Sequence, residues 1–103
     1  MTEYESMAEK LEDEIELLAR HIDMLKMVRA NQPIGIIRLS EELGLEKHKV
    51  RYSLRLLEKE GLIQPSRDGA MVTDGYDDYM EYMHKCLEGI VDRIHTLIAE
   101  IPK

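Results

Sequence analysis

Apolar residues return at alternating steps of four and three along both ends of this chain, and no other feature constrains its fold as strongly. Near the start they fall at Tyr4, Ala8, Leu11, Ile15, Leu18, Ile22 and Leu25, and near the end at Tyr76, Met80, Met83, Leu87, Ile90, Ile94, Leu97 and Ile101. A mean spacing of 3.5 marks the seam along which helices pair, as opposed to a one-off amphipathic face. The first seam predicts a helix over Tyr4–Ala30, which contains no Gly or Pro and ends before Asn31-Gln32-Pro33, because proline removes a donor and disfavours helix in the residue ahead of it. The second predicts a helix from Asp74, a candidate N-cap, to about Ile101, with Gly89 as its weak interior point. At 1.5 Å per residue each spans roughly 40 Å. Left in water, their Leu and Ile side chains forfeit about 1.5–3 kcal/mol apiece, so the seams call for a partner. A two-fold homodimer is the expectation, with Leu11, Ile15, Leu18, Tyr76, Met80, Met83, Leu87, Ile90, Ile94 and Leu97 at its interface. Pairing of the first helix with the last inside one chain is the alternative.

The middle of the chain reads as shorter elements. Ile36, Leu39, Ser40 and Leu43 share one face of a two-turn helix that ends at Gly44, the residue that best tolerates a left-handed C-cap. A third helix over about 46–60 carries Val50, Leu54 and Leu57 on one side and stops before Gly61. Leu62–Ser66 and Ala70–Thr73 are two strand-like runs around Arg67-Asp68-Gly69, a hairpin signal that confines Pro65 to an edge or the turn. The predicted class is mainly α with a small β-hairpin (α+β). One domain over 1–103 is expected, made of a first helix at 4–31 that serves both dimerisation and the core, a central unit at 34–73 and a C-terminal dimerisation helix at 74–101. With five Tyr as the only aromatics and seven Met, the core falls to aliphatic residues and Met, which suits packed helices.

The formal charge is −7, which by itself argues against a polyanion partner. Its distribution is uneven. Residues 1–28 and 68–103 each hold three basic residues against eight acidic ones, whereas 29–67 holds Arg29, Arg38, Lys47, Lys49, Arg51, Arg55, Lys59 and Arg67 against five acids. If Val50, Leu54 and Leu57 face a core, a 100° step per residue sets His48, Tyr52 and Arg55 opposite, with Lys49 and Arg51 beside them. Such a basic, hydrogen-bonding face suits the major groove of double-stranded DNA, where Arg and Lys address guanine edges, and Lys47 adds phosphate attraction. The same face also reads as an ordinary solvated helix in a module that docks protein.

The order of short helix, Gly-containing turn, third helix and hairpin is that of a winged helix-turn-helix. Ile36 to Ile63, with Leu39-Ser40, Leu43-Gly44-Leu45, Val50, Leu54, Leu57 and Gly61-Leu62-Ile63, resembles the reading unit of the MarR, ArsR and PadR-type prokaryotic regulators over roughly the central half of the chain. The resemblance implies a transcriptional regulator, makes helix 46–60 the recognition helix, and places Arg67 in a wing (64–71) that grips backbone or the minor groove. Glu46 departs from the usual Ser, Thr or Asp cap, and Leu56 stands where a polar residue is usual, on a side expected to be largely exposed. Archaeal winged-helix chromatin proteins with a C-terminal dimer coiled coil are also similar, though their task is architectural, with little sequence preference.

Other chemistry is thin. His84 and Cys86 lie on different sides of a helix, while His21, His48 and His95 share no metal spacing. Glu12-Asp13-Glu14 and Asp77-Asp78 read as solvated faces, and no phosphate loop or nucleophile motif occurs. No enzyme, metal or other cofactor is expected, and no small-molecule effector is legible. With no apolar run near 20 residues, an acidic start at Met1–Glu5 and a single cysteine, a cytoplasmic location without membrane insertion is the expectation.

Overall fold

A computed structural model describes residues 2–103, which form α1 (Glu3–Asn31), α2 (Ile36–Leu43), α3 (Lys47–Lys59), β1 (Ile63–Ser66), β2 (Gly69–Val72) and α4 (Tyr76–Glu100). This is an α+β winged helix-turn-helix with a long helix at each end of the sequence. Two compact units divide the chain, Met1–Thr73 and Asp74–Lys103.

In the first unit α1 packs on α2, α3 and β2, α2 packs on α3, and α3 on β1. The core comprises Met24, Leu25 and Val28 from α1, Ile34, Leu39 from α2, Val50, Leu54 and Leu57 from α3, and Leu62, Ile63, Ala70 and Val72 around the hairpin. The α3 trio is the one its spacing predicts. On α1, however, the core-facing residues lie about 100° around the helix from the centre of the heptad seam. Met24 and Val28, which lie beside the seam, are wholly buried together with its last member Leu25, while the seam's Leu11 and Ile15 stand 59% and 56% exposed and Leu18 half-buried.

Local chemistry explains each stop. Thr2 caps α1 by accepting the Glu5 amide at 3.3 Å. Gly44 ends α2 in the left-handed region, with its amide on the Ser40 carbonyl, and the Ser40 hydroxyl donates to the Leu45 carbonyl to fix the turn. After α3, Gly61 at φ +76° donates to the Glu58 carbonyl at 3.0 Å and Leu62 to the Leu57 carbonyl at 2.9 Å. That is a Schellman closure, with Leu57 and Leu62 supplying its apolar contact.

The hairpin pairs Ile63 with Val72, Gln64 with Met71, Pro65 with Ala70 and Ser66 with Gly69. Its two-residue turn is therefore Arg67-Asp68, one residue earlier than an Asp-Gly turn. Ala70 directs its amide and carbonyl away from Pro65, to the Ile34 carbonyl and amide at 2.8 and 3.2 Å. Pro65 is thus never asked for a donor. The Gln32 side-chain carbonyl accepts the Val72 amide at 2.9 Å, tying the end of α1 to the wing.

Gly69 is where backbone meets backbone. Its φ is +138°, and a Cβ there would lie 2.5 Å from the Ile34 carbonyl carbon. Gly69→Ala therefore combines backbone strain with a clash against main chain, and should cost at least about 2 kcal/mol. A fall of roughly 10 °C or more in the melting temperature is the expected result.

In the second unit, α4 begins at Tyr76 with Gly75 as its N-cap and no side-chain cap, so Asp74 precedes the helix without capping it. No residue of α4 is buried. Tyr76, Met80, Met83 and Leu87 are half-buried, whereas Ile90, Ile94, Leu97 and Ile101 are exposed, joined on the same stripe by Val91 and Ile98. His84–Glu88 and Lys85–Glu81 form exposed i,i+4 pairs at 3.3 and 3.2 Å. A hydrogen bond with the half-buried Cys86 raises the Tyr82 phenol above its ordinary value. Among the described residues no helix is long and apolar enough to cross a membrane, and no group of three His, Cys, Asp or Glu is placed to hold a metal ion.

Candidate nucleic-acid interface

With Val50, Ser53, Leu54 and Leu57 turned into the core, α3 presents Lys47, His48, Lys49, Arg51, Tyr52 and Arg55 to solvent. All six are exposed, Tyr52 to 50%. Lys47, Lys49, Arg51 and Arg55 make no ion pair among the described residues. His48 is held differently. Glu46, which closes the N-terminus of α3 without a side-chain cap, places its carboxylate 3.3 Å from His48 Nδ1 on an exposed surface. The residue at the cap position thus works as a partner for an imidazole of α3 itself. Leu56 is half-buried, more covered than its sequence position suggests.

His48, Lys49, Arg51, Tyr52 and Arg55 line one pocket of about 450 Å³, and a sixth wall is Arg20 of α1. Neither Lys47 nor Arg67 lines it. Arg67, exposed at the tip of the hairpin, borders a separate groove of about 380 Å³ together with Gly35, Ile36, Leu54 and Glu58. Next to the basic pocket lies a groove walled by Asp13, Glu14, Glu16, Leu17 and Leu45 that shares Arg20, Lys49 and Tyr52 with it. The positive face of α3 is therefore bounded on one side by carboxylates of α1. Arg20 escapes a reading by blocks of sequence because it sits in an acidic stretch. The signal that finds it is positional, since it lies one residue before His21 on the part of α1 that reaches the core.

His21 is half-buried with Nε2 enclosed and without a hydrogen-bond partner among the described residues. Burial, and secondarily the Arg20 charge, hold its pKa below the ordinary 6.5. Below about pH 6.5 the unfolded chain binds a proton at this imidazole that the folded chain resists. Stability from this group is thus intact above that pH and declines as the pH falls towards the folded value. Thermal melts from pH 7.5 to 5 should show a steeper loss for the wild type than for His21→Gln.

No protein-family model matches the chain, and no curated protein matches it in sequence. Among solved structures, the activation domain of the phage T4 transcription factor MotA is similar, over 72% of this chain and 81% of that one, at a TM-score of 0.55 and 19% sequence identity. What the two share is a fold, and the fold is one that a transcription factor uses.

Proposed function

We propose that the protein is a sequence-specific, dimeric DNA-binding regulator of transcription, with α3 in the major groove and Arg67 of the wing on backbone or in the minor groove. The observation that carries this reading is the set of four unpaired cations, Lys47, Lys49, Arg51 and Arg55, on one exposed helix of a chain with 21 acids and only 14 Lys and Arg. Where carboxylates outnumber cations, leaving such a cluster without ion pairs keeps its donors available to phosphates and base edges. His48 and Tyr52 add hydrogen-bonding groups on the same side. The exposed stripe of α4 supports self-association, because a heptad seam repeated on two copies is self-complementary about a two-fold axis. Two α3 helices related by that axis would read a palindromic or near-palindromic site.

A second reading, a winged-helix module that docks protein, is favoured by the carboxylates of Asp13, Glu14 and Glu16 beside Lys49 and Tyr52. The structurally similar MotA unit is itself an activation domain. Fluorescence anisotropy separates the two. DNA fragments selected by the protein are titrated against scrambled duplexes at several salt concentrations. Tight binding that prefers the selected fragments, with a log–log salt slope of about −0.9 for each phosphate contact, is expected of a regulator. Absent binding at low salt points to docking, and steep salt dependence without preference to an architectural protein.

A further inference from the structure

The basic pocket is built from two helices, and the contribution of α1 is a single residue. Arg20 lies opposite His48, Lys49, Arg51, Tyr52 and Arg55 across the pocket of about 450 Å³. Its Nε is buried and finds no hydrogen-bond partner among the described residues, nor does its guanidinium make an ion pair there. This is unexpected for an arginine that shares an adjoining groove with Asp13, Glu14 and Glu16, and another with Glu16 and Asp23. With Nε enclosed and no carboxylate paired to the guanidinium among the described residues, its terminal amino groups remain the donors open to an acceptor that arrives from outside.

We infer that Arg20 is a phosphate-binding residue that closes this pocket around one backbone phosphate of the DNA strand lying along α3. The inference rests on the DNA-binding reading proposed above and adds to it a contact outside the helix-turn-helix. The guanidinium presents its planar donors to a phosphodiester oxygen from the α1 side while Lys49, Arg51 and Arg55 approach from α3. The adjoining carboxylates supply the other half of the geometry. They repel phosphate from the groove of Asp13, Glu14 and Glu16, so the strand is directed over the Arg20 side of the boundary. A backbone contact of this kind positions the duplex and carries no base information.

The test compares Arg20→Gln, Arg20→Lys and Arg51→Ala with the wild type by anisotropy, on a selected fragment and on a scrambled duplex across a salt series. Arg20→Gln should weaken binding to both duplexes by the same factor, about five- to tenfold at low salt, and make the salt slope shallower by about 0.9 per protomer, with the preference for the selected fragment kept. Arg20→Lys should recover most of the loss, and Arg51→Ala should weaken binding to the selected fragment as the control for the α3 side of the pocket. Circular dichroism reports folding, and Arg20→Met, which keeps the apolar stem, carries the same expectation if the Gln variant melts early. Affinity and slope equal to wild type in the Arg20 variants, alongside a weakened Arg51→Ala, would overturn the contact and leave the DNA reading standing. Failure of the wild type to bind either duplex would overturn both. Inorganic phosphate, exchanged for chloride at constant ionic strength, tests the other source of the same chemistry. An Arg20-dependent response to phosphate with DNA affinity unchanged in Arg20→Gln would assign the pocket to a free anion and also overturn the backbone contact.

Discussion

Replacing Ile94 by Asp should dissociate the proposed dimer at micromolar concentrations while leaving the winged-helix unit folded. Ile94 lies on the α4 seam between Ile90 and Leu97, and all three are exposed in the single chain, Ile94 to 36% and Leu97 to 58%. An aspartate there removes the roughly 1.5–3 kcal/mol of burial that the isoleucine gives and sets a carboxylate in an apolar seam. A two-fold interface feels the substitution twice, so a change of about 3–6 kcal/mol, or about 10²–10⁴ in the dissociation constant, is expected. Leu87→Asp, one heptad towards the start of α4, should act in the same direction. Sedimentation equilibrium measures the change. Far-ultraviolet circular dichroism and melting of the hairpin-bearing unit serve as the control, since the core of Met24, Val50, Leu54 and Ile63 contains no residue of α4. A wild type that stays monomeric up to high concentration would refute the proposed dimer.

The second large effect concerns α3. Arg51→Ala and Arg55→Ala should each weaken binding to a selected fragment by about 1–3 kcal/mol, and the double variant by about 2–6 kcal/mol, at least about 30-fold, with the oligomeric state unchanged. Both side chains are exposed, line the same pocket and have no ion-pair partner among the described residues. Their removal therefore costs the fold little, and the loss of affinity reports the interface itself. The specificity ratio separates their roles: an arginine that reads a guanine edge narrows the gap between selected and scrambled DNA, whereas one on phosphate lowers both affinities equally. Unchanged affinity for both variants at moderate salt would remove α3 as the recognition helix.

Much of this was legible from residue order because the signals are local. The α3 core trio Val50, Leu54 and Leu57 follows from helical spacing, the ends of α2 and α3 follow from Gly44 and Gly61, and the hairpin follows from two short apolar runs about a turn. The exposed set His48, Lys49, Arg51, Tyr52 and Arg55 is then forced, since a helix with one face buried must turn the rest outward. On α1 two stripes of similar period compete. The seam of Tyr4, Leu11 and Ile15 and the core stripe of Met24, Leu25 and Val28 run along one helix, rotated by about 100°, and periodicity measures spacing without saying which stripe meets which surface. The turn register was similarly open by one residue, because Asp68-Gly69 and Arg67-Asp68 both make short turns.

The amino-acid sequence by itself determined the helices, the stops at Gly44 and Gly61 and the charge of α3, since each depends on residues within a turn or two of one another. Only the tertiary structure decided that Gly69 must pass against the Ile34 backbone, that Gln32 holds the wing through Val72, and that Arg20 from an acidic helix joins the basic pocket. Those three depend on segments about 30 to 40 positions apart in the chain, which local propensity does not register and which meet only when a shared core brings α1, α3 and the hairpin together.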